Sequence, residues 1–314
     1  MALFALGPLF GPVIGPVAGG FLAEAEGWRW VFWVITIAGG VFTVAAWFLM
    51  RETYGPVLLE RKTARLRKET GNNDLRSKLD SGLTKKAYFT RAIVRPSKML
   101  LFSPIVAAFS IYMAIVYGYL YLLFTTLTLV FESRYGFSQG SVGLSFLGIG
   151  VGSLLGLVIF GSISDRLIQS MAKRRGGEMK PEYRLPPLIP GSCLVPIGLF
   201  WYGWSAQARI HWIVPIIGTA WVGLGMIANF MCIQTYLVDC FTIYAASAIA
   251  ANTVLRSILG AFLPLAGPDM YAALGLGWGN SLLGFIGFAM VPITWFFYKY
   301  GERVRKSKRF QVQF

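Results

Sequence analysis

Long apolar runs alternate with short polar stretches along nearly the whole chain. Most runs are close to the roughly 20 residues that an α-helix needs to cross the hydrocarbon core of a bilayer, and two are longer. The runs lie near 3–22, 30–50, 101–130, 141–163, 187–204, 212–238, 244–266 and 277–298. The pattern predicts an all-α integral membrane protein with about eight transmembrane helices, of which the two longest tilt or project beyond the membrane.

The polar stretches between the runs differ in their basic content. The stretch 51–98, which contains RKTARLRKETGNNDLRSKLDSGLTKK, is rich in Lys and Arg and is predicted to face the cytoplasm. Counting spans from there places the basic stretch 165–184 and the tail GERVRKSKRF inside as well. The same count places the stretches 207–211 and 267–277, which hold a single basic residue, outside. The loops therefore agree on one threading through the membrane.

This threading divides the chain into four segments. We expect two helices over 1–50, a basic cytoplasmic linker over 51–98, six helices over 99–300 and a basic cytoplasmic tail over 301–314. Secondary transporters are commonly built from two paired halves that rock around a central site. The two-plus-six arrangement is what remains when four helices are absent from a six-plus-six plan. For the linker we expect a solvated tether; the alternative is an amphipathic helix formed by RLRKETGNNDLRSKLD.

Composition narrows the possible functions. The chain is 55% hydrophobic and 14% charged, with a net charge of +15. In a soluble protein that charge would suggest nucleic acid, but here the basic residues fall between spans, so topology explains them and we expect no nucleic-acid partner. Three cysteines without a CxxC pair and a single histidine, His211, favour neither a metal site nor Ser/His/Asp chemistry. We therefore expect no enzyme activity, no metal and no cofactor.

The first span carries a regular series of glycines and prolines, written GPLFGPVIGPVAGG. Glycines four residues apart line one face of a helix and let a neighbouring backbone approach closely, which on its own predicts a tight helix contact. The pattern G-x-x-x-G-P-x-x-G-G, at Gly11, Gly15, Pro16, Gly19 and Gly20, resembles the antiporter signature on the fifth helix of major facilitator superfamily exporters. The longer form of that signature expects a further glycine where this chain has Ala2.

Other stretches are similar to the fungal drug:proton antiporters of that superfamily, which have twelve spans. They include GWRWVFWV (27–34), YGFSQGSVGL (135–144) and YLVDCFTIYAASAIAANTVLRSILGAFLPL (236–265). The resemblance implies a partial major-facilitator fold in which these spans correspond to helices five to twelve. It also implies that helices one to four are missing from this sequence.

The segment GSISDRL partly resembles the superfamily's cytoplasmic loop motif, at Gly161, Asp165 and Arg166. In a rocking transporter such a loop can pin helix ends together by ion pairing and helix-end contacts and release them on protonation of a nearby carboxylate. The alternative is an ordinary charged helix end that faces the cytoplasm. Both interpretations remain open on the sequence.

Polar residues inside apolar spans are the candidates for the transport pathway, because ionisable groups are costly in lipid. Arg256 falls near the middle of its span, with Asn252 one turn earlier on the same face, and a purely structural pairing is the alternative. The other candidates are Asn229, Gln234, Tyr236 and Asp239 on one span and Tyr112 and Tyr117 on another. Asp239 could instead be a helix-end charge, and the tyrosines could serve packing or interfacial anchoring.

These observations favour a proton-coupled exporter of small amphipathic organic compounds, such as drugs, toxins or a secondary metabolite. Its energy source is the proton gradient, since no nucleotide-binding motif is present. A polyamine transporter of the same family, a truncated non-transporting remnant and, least favoured, a membrane-embedded enzyme or receptor are the alternatives. The expected partners are a small-molecule substrate and the lipid bilayer. We expect a monomer in the plasma membrane, with the vacuolar membrane as the other possibility.

Overall fold

The computed structural model describes residues 2–79, 82, 85–174, 177 and 179–307, and every regular element within these ranges is helical. The α-helices are α1 (Ala2–Glu26), α2 (Trp28–Leu49), α3 (Gly55–Thr70), α4 (Lys85–Phe102), α5 (Pro104–Tyr135), α6 (Gln139–Val142), α7 (Leu147–Arg174), α8 (Leu188–Gln207), α9 (Ile213–Phe241), α10 (Ala245–Phe262) and α11 (Gly267–Lys306). Short 3₁₀ turns occupy Gly143–Phe146, Pro181–Arg184, Thr242–Tyr244 and Leu263–Ala266.

The predicted all-α membrane fold is confirmed. Each of the eight predicted spans coincides with a helix, namely α1, α2, α5, the run from α6 to α7, α8, α9, α10 and α11. Within the described ranges, five helical stretches are long and apolar enough to cross a membrane, and the last of them, Ile213–Lys306, contains three successive helices.

The chain separates into two compact units. The smaller unit, Trp28–Val94, holds α2, α3 and the first part of α4. No side chain of α2 is buried, although the helix is apolar on all sides. A helix that is apolar all round and unburied in water would be unfavourable, whereas in a bilayer its surface faces lipid.

The linker differs from the expected tether, because much of it is helical. α3 begins next to Pro56, which suits the first turn of a helix, and ends at Gly71, whose φ of 70° closes it with a left-handed cap. The helix therefore lies earlier than the amphipathic segment proposed as the alternative, overlapping only its first residues. α4 follows and ends at Phe102, just before α5 begins at Pro104.

The larger unit, Met1–Gly27 with Arg95–Phe314, contains α1, the end of α4 and a group of six spans. The six spans of this six-helix group are α5, the α6 to α7 run, α8, α9, α10 and α11. α9 packs on α7 and α8, α10 packs on α5, and α11 packs on α8. Glycines make these contacts close: a Cβ on Gly156 of α7 would lie 2.8 Å from the carbonyl oxygen of Leu224 on α9. Lipid is as apolar as the helix surfaces, so no hydrophobic effect drives helices together in a bilayer. They associate through close van der Waals packing instead, which small residues allow.

The connection expected over 267–277 is largely helical. The only break described within α11 is Gly275, whose φ of 73° and ψ of 171° are accessible to glycine but strained for other residues. The amide of Gly277 donates a hydrogen bond to Oε1 of Gln207, 2.5 Å away, at the end of α8. The chain therefore turns at one residue rather than through a loop.

Candidate functional site

A polar cluster lies where α5, α9 and α10 meet. The guanidinium of Arg256 on α10 lies over the ring of Tyr117 on α5 at 4.8 Å and over the ring of Phe230 on α9 at 5.4 Å. Gly260, one turn after Arg256, leaves room for Tyr117, because a Cβ there would be 3.2 Å from the Tyr117 ring. α10 therefore presents its one arginine to aromatic rings from two other helices.

Several polar atoms in this region are buried without a hydrogen-bond partner among the described residues. Both amide atoms of Asn252 belong to this group, and the residue has 0% exposure. Nε of Arg256 and Oε1 of Gln234 belong to it as well. Asn252 and Arg256 are four residues apart on α10, so they share a face of that helix. Unpaired buried polar atoms are costly, so this group is suited to a ligand or water that supplies the missing partners.

Asn229 and Tyr112, by contrast, are satisfied by each other. The Tyr112 hydroxyl donates to Oδ1 of Asn229 at 2.9 Å, and Nδ2 of Asn229 donates to the carbonyl of Gly225 at 2.8 Å. Both side chains are buried. This pair ties α5 to α9, and a substrate that used it would have to displace an existing hydrogen bond.

Tyr236 and Asp239 lie further along α9, away from Arg256. The Tyr236 ring packs against Phe109 at 5.2 Å, and its hydroxyl is buried without a hydrogen bond in the described part of the chain. Asp239 forms an ion pair with Arg184 at 2.5 Å. The structure thus places Asp239 in a contact between α9 and the turn Pro181–Arg184, apart from the polar cluster.

Asp239 belongs to a charged network that the sequence did not reveal. Glu182, whose side chain is only 5% exposed, accepts hydrogen bonds from Nε of Arg305 at 3.1 Å and from Nη2 of the same residue at 3.3 Å. Lys180 pairs with Glu302 at 2.8 Å. The alternating charges of KPEYR and ERVRK were the available signal, but their pairing across more than 100 residues could not be read from spacing alone.

The loop-motif candidates lie on the last part of α7. Gly161 is half-buried, and a Cβ there would be 3.8 Å from Met231 on α9. Arg166 is exposed. The backbone of Asp165 is helical, but its side chain lies outside the described part of the structure. These residues are separate in sequence and helix from the cluster around Arg256.

The glycine motif of α1 has two different environments. A Cβ on Gly20 would be 2.8 Å from the carbonyl oxygen of Gln139, and a Cβ on Gly143 would meet the backbone of Pro16 and Val17. At Gly11 and Gly15 a Cβ would meet nothing within 4 Å, and Gly19 is half-buried. One side of α1 therefore packs closely on the start of the α6 to α7 run, while the Gly11 side is open among the described residues.

Glu24 adds a polar contact to the same packing. Its carboxylate accepts a hydrogen bond from the Gly140 amide at 2.8 Å and another from the Ser138 hydroxyl at 3.3 Å. A carboxylate is favoured at the first turn of a helix, where amides have no internal partner. Sequence reasoning missed Glu24, because its partners lie more than 100 residues away.

Comparison with known protein families decides the identity of this arrangement. Residues 1–264 match the Major Facilitator Superfamily. The chain belongs to this superfamily. The predicted resemblance is therefore confirmed, and the match indicates a multi-pass membrane protein from a family of transporters rather than from a family of enzymes.

Relatives within the superfamily cover the whole chain. The sequence is 61% identical over 314 residues to the MFS-type transporter penM of Penicillium rubens, and 62% identical over 311 residues to the MFS-type transporter tndD of Aspergillus flavipes. It is 52% identical over 314 residues to the efflux pump radE of Floropilus chiversii. These matches include 100%, 98% and 100% of this chain, in the order given. They include only 62%, 58% and 58% of the length of the three relatives. No solved structure matches the chain.

Proposed function

We propose that this superfamily member takes part in proton-driven export of small amphipathic organic compounds by alternating access. The observation that carries the proposal is the packing of the α1 glycine motif: its Gly20 side lies against Gln139, and the motif resembles an antiporter signature. The name of one relative, an efflux pump, supports the direction of transport. The energy source in this proposal is the proton gradient across the membrane, and no cofactor is required.

Three sets of described contacts have different roles in this proposal. The packing of α1 on the α6 to α7 run, with Glu24 on the Gly140 amide, closes one end of the pathway when formed. The cluster around Arg256 provides polar and aromatic contacts for the cargo midway along its helices. The ion pairs of Glu182 and Asp239 join helix ends of the six-helix group to one another on the opposite side, so that this group can move as one body. Alternating access requires the contact between α1 and the α6 to α7 run to form and break, while the six-helix group stays intact.

The experiment uses cells of a fungal host that lacks its own drug pumps. The cells make either the 314-residue chain or the same chain preceded by the N-terminal segment of the Penicillium rubens relative. They are loaded with pyrene probes that differ only in their polar end, 1-pyrenebutyrate, 1-pyrenebutanol and 1-pyrenebutylamine, and with labelled spermidine. We expect the longer form to export at least one pyrene probe, and a protonophore to abolish that export.

Three results would contradict the proposal. Export that continues after the proton gradient is collapsed would remove proton coupling. Export of spermidine alone would assign the cargo to polyamines. Equal probe retention in cells with and without the longer form would favour a non-transporting product. Comparison of the two forms shows in addition whether the 314 residues transport without the added segment.

We further propose that the protein lies in the plasma membrane and is a monomer. Export from the cell requires the protein at the cell surface, and a fluorescent fusion should therefore mark the cell periphery. A vacuolar rim would indicate sequestration instead. Size-exclusion chromatography with light scattering in detergent should give the mass of one chain, and the mass of two chains would overturn the monomer.

A further inference from the structure

We propose that Arg256 binds an anionic group of the cargo, so that the exported compounds are amphipathic organic acids with a flat apolar body. This inference rests on the proposed function, because it names the substrate class of the same site. The site consists of Arg256, Asn252, Tyr117 and Phe230, together with Gln234, which lies one turn beyond Phe230 on the same face of α9. We call this group the arginine cluster.

The first step is the charge of the arginine cluster. A guanidinium stays protonated in proteins. In the described structure Arg256 takes part in no ion pair, and its Nε is buried without a hydrogen bond. Its described neighbours are the faces of Tyr117 and Phe230. Aromatic faces attract a cation but accept its hydrogen bonds poorly, so the donors of Arg256 are left for an acceptor from elsewhere.

The second step is the distance to the carboxylates on the packed helices. The described acidic residues of α5, α9 and α10 are Glu132 and Asp239. Asp239 is nine residues beyond Phe230, which is about 13 Å along a helix, and it is already paired with Arg184. Glu132 is fifteen residues beyond Tyr117, or about 22 Å. Neither carboxylate is placed to neutralise Arg256.

The third step is the fit of an organic acid. A carboxylate or enolate would accept hydrogen bonds from the guanidinium, and bidentate pairs of this kind are among the stronger ones. The unpaired amide of Asn252, one turn away on the same face, offers a donor and an acceptor to neighbouring oxygens. Tyr117 and Phe230 supply flat apolar surface for the body of the ligand. A cationic cargo would meet a like charge instead.

The test is equilibrium binding of the three pyrene probes to the purified 314-residue chain in detergent, followed by energy transfer from tryptophan to pyrene. The probes share one apolar body and differ in charge. We expect 1-pyrenebutyrate to bind about tenfold more tightly than 1-pyrenebutanol, and 1-pyrenebutylamine to bind most weakly. Arg256→Gln should abolish the preference for the acid, and Arg256→Lys should retain part of it.

Two further variants separate this role from general folding effects. Asn252→Asp keeps the guanidinium but places a carboxylate one turn from it, so the acid preference should also disappear. Lys299→Gln is the matched control, because Lys299 likewise lies over aromatic rings, those of Trp295 at 5.1 Å and Tyr300 at 5.4 Å, but on exposed α11 surface. The preference should survive in this variant.

The inference is overturned if the wild-type chain binds the alcohol or the amine as tightly as the acid, or binds none of the probes. It is equally overturned if Arg256→Gln or Asn252→Asp keeps the preference, which would mean that Arg256 serves another partner, such as a carboxylate elsewhere in the polypeptide. Binding is measured without a proton gradient. A chain that shows no export in the cell assay can therefore still show the acid preference in the binding assay. Proton-driven export and acid recognition by Arg256 are thus tested independently.

Discussion

Two sets of charged side chains in the described structure differ in what surrounds them. The first group, around Glu182 and Asp239, is paired internally and ties distant helix ends together. The second is Arg256, whose charge meets aromatic rings and no described carboxylate. A buried pair mainly constrains structure, whereas a buried charge with open donors can recognise a ligand. Substitutions in the two groups should therefore affect different properties.

Arg305→Gln tests the structural group. The substitution removes both hydrogen bonds to Glu182 and leaves a 5% exposed carboxylate without its cationic partner. Loss of one partner of a fully buried pair costs about 3–5 kcal/mol, and because Arg305 is 28% exposed we expect the free energy of unfolding to fall by roughly 2–3 kcal/mol. Thermal unfolding of the detergent-solubilised chain measures the change. Arg65→Gln is the control, since the Arg65 and Glu69 side chains are 81% and 52% exposed, and an equal loss there would contradict the explanation.

The sequence predicted part of the candidate site and missed the rest for an identifiable reason. Arg256 and Asn252 could be predicted because their depth in an apolar span is readable from the span itself. Asn229 and Tyr112 were predicted by the same rule, but the structure pairs them with each other, which requires knowledge of how α5 meets α9. Glu24 and Glu182 lie at helix ends, where a charge is ordinary, and their partners are more than 100 residues away.

At the scale of elements, helix packing depends on where glycines allow backbones to approach. The eight spans could be predicted because membrane thickness fixes the length of each apolar run. The break at Gly275 and the helix α3 could not, since the first depends on one residue with positive φ and the second on a polar segment that periodicity does not mark. The glycine motif of α1 was predicted, but its division into a packed side and an open side needed the contacts of Gly20.

Gly20→Ala and Gly15→Ala form a matched pair that tests this division. At Gly20 the new methyl group would lie 2.8 Å from the Gln139 carbonyl oxygen and 3.3 Å from that of Gly140, both backbone atoms that cannot move aside. We expect overpacking to destabilise the chain by about 1–3 kcal/mol. At Gly15 nothing lies within 4 Å, so alanine should be neutral or stabilise the helix by up to about 1 kcal/mol.

Thermal unfolding of the two variants in detergent gives the answer directly. A lower midpoint for Gly20→Ala together with an unchanged or higher midpoint for Gly15→Ala is the expected result. The reverse order would mean that the open side of α1, rather than the Gly20 side, carries the contact within this chain.

At the scale of the whole molecule, superfamily membership is established and the energy source is the proposal. Membership follows from the match over residues 1–264, and the all-helical fold agrees with it. The chain spans about six tenths of the length of its relatives, so transport is tested with the longer form as well as with the 314 residues. Antiport predicts that cargo and protons move in opposite directions through one protein.

Proton flux coupled to cargo is the most direct test of that claim. The longer form is reconstituted into liposomes that contain a pH-sensitive dye. 1-Pyrenebutyrate and 1-pyrenebutanol are added outside in separate experiments, because the alcohol cannot itself carry a proton across the bilayer. The account predicts that the internal pH rises as the cargo enters through the protein, opposite in sign to the acidification that passive entry of the protonated acid causes, and that protein-free liposomes show no rise. Cargo uptake into the liposomes with no accompanying change of internal pH would contradict it.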